Sequence, residues 1–403
     1  MKIAGIIAEY DPFHSGHAWQ IAHLHQMGYD RVVVCMSCSA VQRGGFSLLP
    51  PAVRVRAALA SGADLVLALP APWSCASAEH FASGGVAVLD ALGCVDTLAF
   101  GAETPDAAAL MRAAKLLQSP EFAASLGRHN ADGRPFAAAR AAAAAALDPA
   151  VGQLLATPNN NLGVEYCKAI LRQGSRMQPL ALARQGAAHG GAPRGGFASG
   201  TSLRALWRQG GPEALAPYVP ATALREYCQH RAEALDQRAM DVALLSRLRA
   251  MDAAQLAAVR GVNEGLEYRL AQAVRQAGDL EGLYDALKTR RYAHARMRRL
   301  VLDAALGFGR DLPARPPYIQ VLGARRQALA LCKTAALPCA SSLAKLEKHS
   351  PQAQRTARAH AAAEDLAALC RCRPGPMGGA YTHKLILADT LPADPTQEGR
   401  SIE

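Results

Sequence analysis

Short apolar segments alternate with longer amphipathic segments through the first half of the chain. The apolar segments predict strands at residues 3–8, 31–36, 64–69, 97–101 and 178–184. The amphipathic segments predict helices at residues 17–27, 52–61, 79–92, 106–117, 136–147 and 160–173. Strands that alternate with helices in this way form parallel sheets. The pattern therefore predicts an α/β fold with a Rossmann-like parallel sheet.

The pattern changes after residue 210. Helix formers dominate from there to about residue 307, a short apolar segment follows at residues 318–323, and the helical pattern then resumes. This change predicts two domains, an α/β domain over residues 1–205 and a mainly helical domain over residues 206–403. A chain of 403 residues with 50% hydrophobic content can bury a core in each.

Positive charge is concentrated in the second of these domains. The formal net charge is +11, of which residues 1–205 carry +3 and residues 206–403 carry +8. The densest patch is residues 288–299, with six cations and no acid. On a helix these cations would form a stripe opposite an apolar face, and such a stripe suits a phosphate backbone. A solvated basic helix without a partner is the alternative.

The start of the chain and its cysteines do not change the predicted fold class. The first predicted strand begins at residue 3 and no apolar run is long enough to span a bilayer, so we expect no signal peptide and a cytoplasmic protein. The ten cysteines have no disulfide spacing, which predicts reduced thiols. Cys35 and Cys38 lack a second pair of metal ligands, so we interpret them as core packing and predict no metal site. The residues after Arg373 are rich in proline and glycine, which predicts a poorly ordered end.

The junction between the first predicted strand and the first predicted helix carries the sequence Glu9-Tyr10-Asp11-Pro12-Phe13-His14-Ser15-Gly16-His17. Unpaired amides at a helix N-terminus, together with the helix dipole, stabilise an anion. Gly16 lets the backbone approach a phosphate closely. His14 and His17 are three residues apart, so both rings can face the same phosphate chain. The junction therefore predicts a nucleotide site.

Further polar motifs follow the ends of other predicted strands or open helices. Ligands of open parallel sheets bind beyond the carboxyl ends of the strands, so we expect these motifs to converge with the histidines. Hydroxyl and arginine groups suit phosphates, and amides suit an adenine or ribose edge. Each motif taken alone also suits an ordinary turn or helix cap. The residues are Gly101, Asn159, Asn160, Arg184, Thr201 and Arg204, with a turn at Gln42-Arg43-Gly44.

Taken together, these tracts resemble the bacterial tRNA(Met) cytidine acetate ligases, within the larger group of adenylyl-transferring enzymes marked by His-x-Gly-His. The resemblance spans nearly the whole chain. It rests on tracts in a fixed order: Glu9 to His17, Gln42-Arg43-Gly44, residues 63–70, Phe100 to Glu103, Pro158-Asn159-Asn160, Arg184, Thr201 to Arg204, residues 263–267, Arg290-Arg291-Tyr292 and residues 318–323.

The resemblance implies a reaction and its substrates. ATP and acetate would form acetyl-adenylate with loss of diphosphate, and Mg²⁺ would accompany ATP. Acetyl would then pass to the N4 amine of the wobble cytidine of elongator tRNA(Met), giving N4-acetylcytidine and AMP. The alternatives are a nucleotidyltransferase that acts on a small phosphorylated metabolite, and a tRNA-binding protein with a degenerate nucleotide site.

The resemblance also implies roles for particular residues. His14 and His17 would be catalytic and would stabilise charge on the transferring phosphate. The residues expected to contact ATP are Ile7, Ala8, Glu9, Tyr10, Asp11, Pro12, Phe13, His14, Ser15, Gly16, His17, Ala18, Trp19, Gln20, Gly101, Asn159, Asn160, Arg184, Thr201 and Arg204. The residues expected to contact tRNA are Lys288, Arg290, Arg291, Arg296, Arg298 and Arg299.

The sequence departs from the family's usual pattern at several positions near the predicted site. Asp11 stands where asparagine is usual, Cys38 where glycine is usual, and Gly45 where an acidic residue is usual. Pro50 and Pro51 replace an Asp-Lys pair whose lysine could contact phosphate or tRNA, and Gly190 replaces an aspartate. We expect these departures to affect turnover and the choice of acyl substrate more than the fold or ATP binding.

Overall fold

The computed structural model of the chain describes residues 1–131, 136–184, 195–263, 265–289, 292–311 and 313–391. Its strands are β1 (Ile3–Ala8), β2 (Arg31–Ser37), β3 (Ala40–Val41), β4 (Gly45–Phe46), β5 (Leu65–Leu69), β6 (Thr97–Ala102), β7 (Gln178–Ala183), β8 (Ile319–Ala324), β9 (Cys339–Ala340) and β10 (Ile386–Leu387). Its α-helices are α1 (Ser15–Gln26), α2 (Pro51–Ala60), α3 (Ala78–Ala91), α4 (Ala107–Leu116), α5 (Pro120–Ala131), α6 (Phe136–Ala145), α7 (Pro149–Leu154), α8 (Pro158–Gln173), α9 (Gly200–Gly210), α10 (Ala221–Gln229), α11 (Gln237–Arg249), α12 (Ala253–Ala257), α13 (Leu266–Gln276), α14 (Leu280–Leu287), α15 (His294–Leu306), α16 (Leu343–Leu346), α17 (Pro351–Leu369) and α18 (Gly379–Thr382). Within these ranges, no helix combines the length and the apolar character needed to cross a bilayer.

The main sheet has the strand order β10-β8-β5-β2-β1-β6-β7, with β9 paired to β8. Strands β1, β2, β5, β6 and β7 run parallel, and β8 runs antiparallel to β5. All five strands predicted in the first half of the chain are present, each within one residue of its predicted bounds. The predicted α/β fold with a largely parallel sheet is therefore confirmed.

Helices cover both faces of the sheet because successive side chains of a strand point to opposite sides. On β1, Ile3 and Ile7 pack into one core with residues of α3, α4 and α8, whereas Ala4 and Ile6 pack into another core with residues of α1 and α2. Gly85 permits the close approach of α3, since a Cβ there would lie 2.7 Å from Ile7 Cδ1. Packing on both faces thus fixes the carboxyl end of β1.

The second half of the chain forms a largely helical region, as the pattern predicts. Helices α11, α13, α14, α15 and α17 enclose a separate core that includes Leu244, Leu283 and Leu300. Strand β8, which appears in the sequence as an apolar segment, returns to the main sheet and pairs with β5. The sheet thus uses residues on both sides of residue 205, and the division into two domains stays a prediction.

The predicted helix over residues 288–299 is wrong in its extent. Helix α14 ends at Leu287 and α15 begins at His294, with Lys288 and Ala293 both in extended conformations (ψ 140° and 149°). The Thr289 hydroxyl accepts the amide of Tyr292 at 3.0 Å, a local bond of the kind that competes with helix formation. Arg290 and Arg291 lie outside the described residues.

Candidate active site at the carboxyl ends of the strands

His14 and His17 cap the first helix reciprocally. His14 is the N-cap residue of α1, and its Nδ1 accepts the Gly16 amide at 3.1 Å. The Nδ1 of His17 accepts the His14 amide at 3.2 Å, and the two rings stack with their centroids 3.7 Å apart. This is a capping box in which imidazoles take both side-chain roles. The pair is therefore fixed in place by the backbone that it caps.

Burial keeps the two rings neutral, and the capping bonds set which ring nitrogen carries the proton. Burial lowers the pKa of His14 to about 3, and the positive charge of Arg184 acts in the same direction. Burial, then His14 and Arg184, lower the pKa of His17 well below its usual value. A neutral ring whose Nδ1 accepts a hydrogen bond carries its proton on Nε2. Both histidines are therefore neutral donors through Nε2.

Arg184 follows β7 and lies across Gly101 of the neighbouring strand. The Arg184 amide donates to Ala102 O at 3.3 Å, and a Cβ on Gly101 would lie 3.1 Å from Arg184 Cγ. Within the part of the chain that the structure describes, Arg184 makes no ion pair with a carboxylate. An unpaired guanidinium beside two neutral imidazoles suits a chain of phosphates.

Asn159 and Asn160, which the sequence does not separate, have different environments at the start of α8. Asn160 is buried and bonds Thr104 twice, accepting from its amide at 3.0 Å and donating to its Oγ1 at 3.1 Å. Asn159 is half-buried, and its Nδ2 donates to Glu103 Oε1 at 2.6 Å. Glu103 also accepts the backbone amides of both asparagines, at 3.3 and 2.8 Å. Asn160 thus holds the loop after β6, and Asn159 is the more accessible of the two.

Asp11 is buried among arginines. Its carboxylate pairs with Arg43, accepts the Leu48 amide at 2.6 Å and lies 3.6 Å from Arg204 Nη1. Burial acts to raise the pKa of Asp11, but Arg43, Arg204 and Arg54 outweigh it and hold the pKa below its usual value. The carboxylate therefore stays ionised, a charge that an asparagine at this position would not supply.

Arg204 and Thr201 support the same loop from helix α9. Arg204 Nη1 donates to the backbone carbonyl of Asp11 at 2.5 Å, and its Nη2 donates to Thr201 Oγ1 at 3.1 Å. Burial, together with the nearby Arg43, lowers the pKa of Arg204 to about 10, so the side chain stays charged at neutral pH. In this structure these two residues hold α9 against the loop that carries Asp11.

Arg54, a residue that no motif in the sequence indicates, lies beneath this cluster. It is fully buried on α2 and donates to four backbone carbonyls, those of Glu9 at 2.6 Å, Ser37 at 2.9 Å, Cys38 at 2.6 Å and Leu49 at 3.1 Å. Glu9 directly follows β1, Ser37 and Cys38 lie at the end of β2, and Leu49 precedes α2, so Arg54 ties the ends of two central strands together. The available signal in the sequence is a cation between Val53 and Val55 on an apolar helix.

The remaining residues predicted to contact ATP surround the histidine pair. Tyr10 is buried with φ 51°, a left-handed conformation that costs about 1–3 kcal/mol in a residue other than glycine. Its ring packs 4.7 Å from that of His17. Gln20 Nε2 donates to Ala99 O at 3.4 Å, and Trp19 stacks on His23. The other members are buried (Ile7, Pro12, Phe13) or half-buried (Ala8, Glu9, Ser15, Gly16, Ala18).

The β3–β4 hairpin joins the group of residues around His14, His17 and Arg184, here called the cleft, to helix α15. The Gln42 amide donates to Glu9 Oε1 at 2.6 Å on one side, and Arg299 Nη1 donates to the Gln42 carbonyl at 3.5 Å on the other. Gly44 has φ 81°, and a Cβ there would lie 2.4 Å from both Arg298 C and Arg299 N. The hairpin therefore requires glycine at residue 44 to pack against the helix.

Comparison with known proteins agrees with this arrangement. The HIGH Nucleotidyl Transferase family matches residues 1–373. The chain is 36% identical over 341 residues to a tRNA(Met) cytidine acetate ligase from Syntrophotalea carbinolica, covering 80% of each chain. It is 31% identical over 415 residues to the Acetivibrio thermocellus protein of the same name, covering 96% of this chain and 100% of the relative. The chain belongs to the tRNA(Met) cytidine acetate ligase family of HIGH nucleotidyl transferases.

Solved structures support the same assignment. Thermotoga maritima TmcAL bound with alpha-thio ATP is similar with a TM-score of 0.88 at 25% identity, and its apo form with a TM-score of 0.89 at 26% identity. Each comparison covers 96% of this chain and 100% of the other. The family resemblance seen in the sequence and the ligase class that it implies are therefore confirmed.

In this member of the family, the cations of residues 288–299 have distinct environments. Lys288 is exposed, and Arg296 lies 4.4 Å from the Tyr292 ring centroid. Arg298 pairs with Glu281 at 2.8 Å. Arg299 is half-buried; burial lowers its pKa, and it contacts the hairpin as described above. Among the described residues predicted to bind tRNA, Lys288 is thus exposed, whereas the three arginines are half-buried and contact other parts of the protein.

The structure also shows where the residues that depart from the family's pattern lie. Pro50 is the N-cap residue of α2 (φ −57°, ψ 156°) and Pro51 is the first helical residue, a position that proline suits. The loop therefore starts a helix and offers no lysine. Gly45 lies in β4, and Cys38 is 2% exposed just after β2. Gly190 lies outside the described residues.

Proposed function

We propose that this chain is an ATP-dependent acetate ligase that acts on tRNA. A carboxylate oxygen of acetate attacks the α-phosphorus of ATP, the bond to the β-phosphate oxygen breaks, and diphosphate leaves. The N4 amine of the wobble cytidine of elongator tRNA(Met) then attacks the acetyl carbon, AMP leaves, and the nitrogen loses a proton to solvent. The products are N4-acetylcytidine, AMP and diphosphate.

The neutral pair His14 and His17 beside Arg184 is the observation that carries this proposal. Acetate becomes an acyl donor only when its oxygen is converted into a good leaving group, and the phosphate being transferred gains charge in that step. Fixed Nε2–H donors and the amides that begin α1 stabilise such charge without rearrangement. The related Thermotoga maritima protein bound with alpha-thio ATP supports ATP as the nucleotide.

Mg²⁺ would enter with ATP as the MgATP complex and would neutralise part of the phosphate charge. The carboxylates around the cleft already have partners. Glu9 accepts the Gln42 amide and Asp11 pairs with Arg43. Glu103 accepts the amides that begin α8. Phosphate and water oxygens, rather than a separate set of protein ligands, would therefore hold the ion.

The tRNA is proposed to contact the basic segment at residues 288–299. Lys288 and Arg296 are its best candidates among the described cations, because Lys288 is exposed and Arg296 contacts the Asn263 side chain only at 3.5 Å, whereas Arg298 pairs with Glu281 and Arg299 contacts the hairpin. The hairpin at residues 40–46 links this segment to the cleft. A target amine must be presented from an unstacked loop base, and a cytoplasmic location follows from a tRNA substrate.

Diphosphate release and nucleoside analysis test the proposal. The full chain is incubated with MgATP in the presence or absence of acetate and tRNA(Met), diphosphate is measured, and the tRNA nucleosides are analysed by mass spectrometry. We expect acetate-dependent diphosphate release and N4-acetylcytidine in the tRNA. Release that depends on a small phosphate ester would replace the proposal with a metabolite nucleotidyltransferase. Intact tRNA binding without turnover would leave an RNA-binding protein.

A further inference from the structure

Three side chains with metal-ligating atoms meet where β2 ends against helix α17. Cys38 Sγ, a ring nitrogen of His360 and a carboxylate oxygen of Glu364 lie within 4.8 Å of one another. Cys38 and His360 are each 2% exposed, whereas Glu364 is half-buried. The cluster is therefore closed to bulk solvent except along the Glu364 side. None of the three residues has a part in the proposed ligase reaction.

Regular secondary structure holds these groups in place. His360 and Glu364 are four residues apart on α17 and so share one face of the helix. The Glu364 carboxylate is oriented by Ser39, whose amide donates to Oε1 and whose hydroxyl donates to Oε2, both at 2.7 Å. Arg54 holds the Cys38 carbonyl at 2.6 Å. Metal sites typically contain hydrogen bonds that orient the side chains which bind the metal.

We propose that Cys38, His360 and Glu364 bind a zinc ion. Sulfur, imidazole nitrogen and carboxylate oxygen are the donors that zinc takes in proteins, and three protein ligands leave a fourth position for water. Harder cations such as Mg²⁺ prefer oxygen alone, so the thiol directs the choice toward zinc. On binding, the Cys38 thiol becomes a thiolate and its proton leaves to solvent.

The charges around the cluster are compatible with a divalent cation. Two anionic ligands, the Cys38 thiolate and the Glu364 carboxylate, match the charge of zinc. The nearby buried arginines are already engaged: Arg54 by backbone carbonyls, and Arg371 by the Ser47 carbonyl at 2.8 Å. Without a cation, burial and Glu364 raise the pKa of Cys38 well above its usual value.

The hydrogen bond between His360 and the backbone is weak enough for a metal ion to replace it. Its Nδ1 accepts the Ala71 amide at 3.4 Å, near the long limit for a hydrogen bond. The Tyr318 hydroxyl is buried without a hydrogen-bond partner among the described residues, and its pKa is raised by burial and by Cys38. A buried hydroxyl without a partner among the described residues therefore lies close enough to Cys38 to interact with its charge.

Zinc at this position would join the helical region to the sheet. Cys38 directly follows β2, whereas His360 and Glu364 belong to α17, which packs in the helical core. Binding to the folded chain alone stabilises it by mass action. We therefore expect a structural role that is separable from catalysis.

Metal content is the direct test. The full chain is exposed to zinc, dialysed and analysed by plasma mass spectrometry, and it is expected to retain about one equivalent. Cobalt replaces zinc in a parallel sample, where a thiolate-to-cobalt absorption band reports the Cys38 bond. Cys38→Ser and Glu364→Gln should each lower zinc retention at least about tenfold, since removing only the hydrogen bonds that orient a ligand already costs that much. Cys38→Ser should also abolish the cobalt band.

Two controls keep the result specific. Cys167→Ala removes a buried thiol on α8, and Cys339→Ala separates a second pair of neighbouring thiols, Cys332 and Cys339. Both should retain zinc and the cobalt band. Circular dichroism establishes that each variant is folded. A folded wild-type chain that retains no zinc, or a Cys38→Ser variant that retains as much as the wild type, would overturn the proposal. ATP binding is measured alongside and should be unchanged in all four variants.

Discussion

The side chains of the cleft around His14 and His17 hold one another in place. The basic segment at residues 288–299 instead carries separate side chains near an interruption between two helices. In the cleft, each imidazole accepts a backbone amide and Asp11 is held by arginines. In the segment, Lys288 is the first residue after α14, whereas Arg296 lies in the first turn of α15. Transfer chemistry requires donors at fixed positions, but a nucleic-acid backbone can be held by cations that adapt to it.

The largest expected effect is at His17. His17→Asn retains an acceptor for the His14 amide but lacks the Nε2–H donor, so acetate-dependent diphosphate release should fall by about a hundredfold or more. His23→Asn on the same helix is the matched control and should leave the rate near that of the wild type. Near-normal release by His17→Asn would remove the pair from the mechanism.

Gly44 tests the connection between the two regions. A Cβ at residue 44 would overlap the backbone of Arg298 and Arg299 and would sit in a left-handed conformation, so Gly44→Ala should destabilise the fold by about 1–3 kcal/mol. Acetyl transfer to tRNA should fall by about tenfold, more than diphosphate release does.

Gly45→Ala provides the control, because among the described residues a Cβ there would meet only Met240 Sδ, at 3.9 Å. It should leave stability and both activities near wild-type values. If Gly44→Ala behaves like Gly45→Ala in thermal unfolding and in tRNA acetylation, the hairpin does not connect the cleft to α15.

Two cations of the basic segment, the exposed Lys288 and the half-buried Arg296, should act on tRNA affinity alone. Lys288→Ala and Arg296→Ala together should weaken tRNA binding, and the slope of log affinity against log salt should fall by about 1 for each phosphate that is no longer neutralised. ATP binding should be unchanged. Arg355→Ala, an exposed position on α17, is the control. An unchanged affinity and slope in the folded double variant would locate the tRNA elsewhere.

The neutral histidines should make stability depend on pH. Their folded-state pKa values lie below those of the unfolded chain. The unfolded state therefore binds more protons as the pH falls, and stability should decline from about pH 7 to about pH 3, the folded-state pKa of His14. His14→Asn should show a shallower decline than the wild type in denaturant unfolding measured across this range. Parallel declines for both proteins would mean that His14 is not held neutral.

The smallest expected effect is at Pro51. If the family's lysine assists transfer, Pro51→Lys, alone or with Pro50→Asp, should raise acetyl transfer by about two- to tenfold with little change in ATP affinity, since a cation near the reacting groups acts on the transition state. Steady-state kinetics with tRNA measure this. A folded double variant without any gain would indicate that the helix start has been rebuilt around the prolines.

Local pattern accounts for what could be predicted. The strands of the first half and the position of His14 and His17 follow from apolar runs and from interactions between neighbours in sequence. The extent of the basic helix could not be read in this way, because the Thr289 hydroxyl bonds the Tyr292 amide and competes with the helical pattern. The different settings of Asn159 and Asn160 also depend on Glu103 and Thr104, which are distant in sequence.

The α/β fold, the nucleotide motif at the first strand–helix junction and the family of the chain could all be recognised from the order of its residues. The folded chain was needed to show that Arg54 ties two strand ends together, that Asp11 lies among arginines, and that Cys38 meets His360 and Glu364. The difference lies in the sequence separation of the residues involved. Helix and strand periods arise from residues close together in the sequence, whereas burial and charge pairing join residues far apart in the chain.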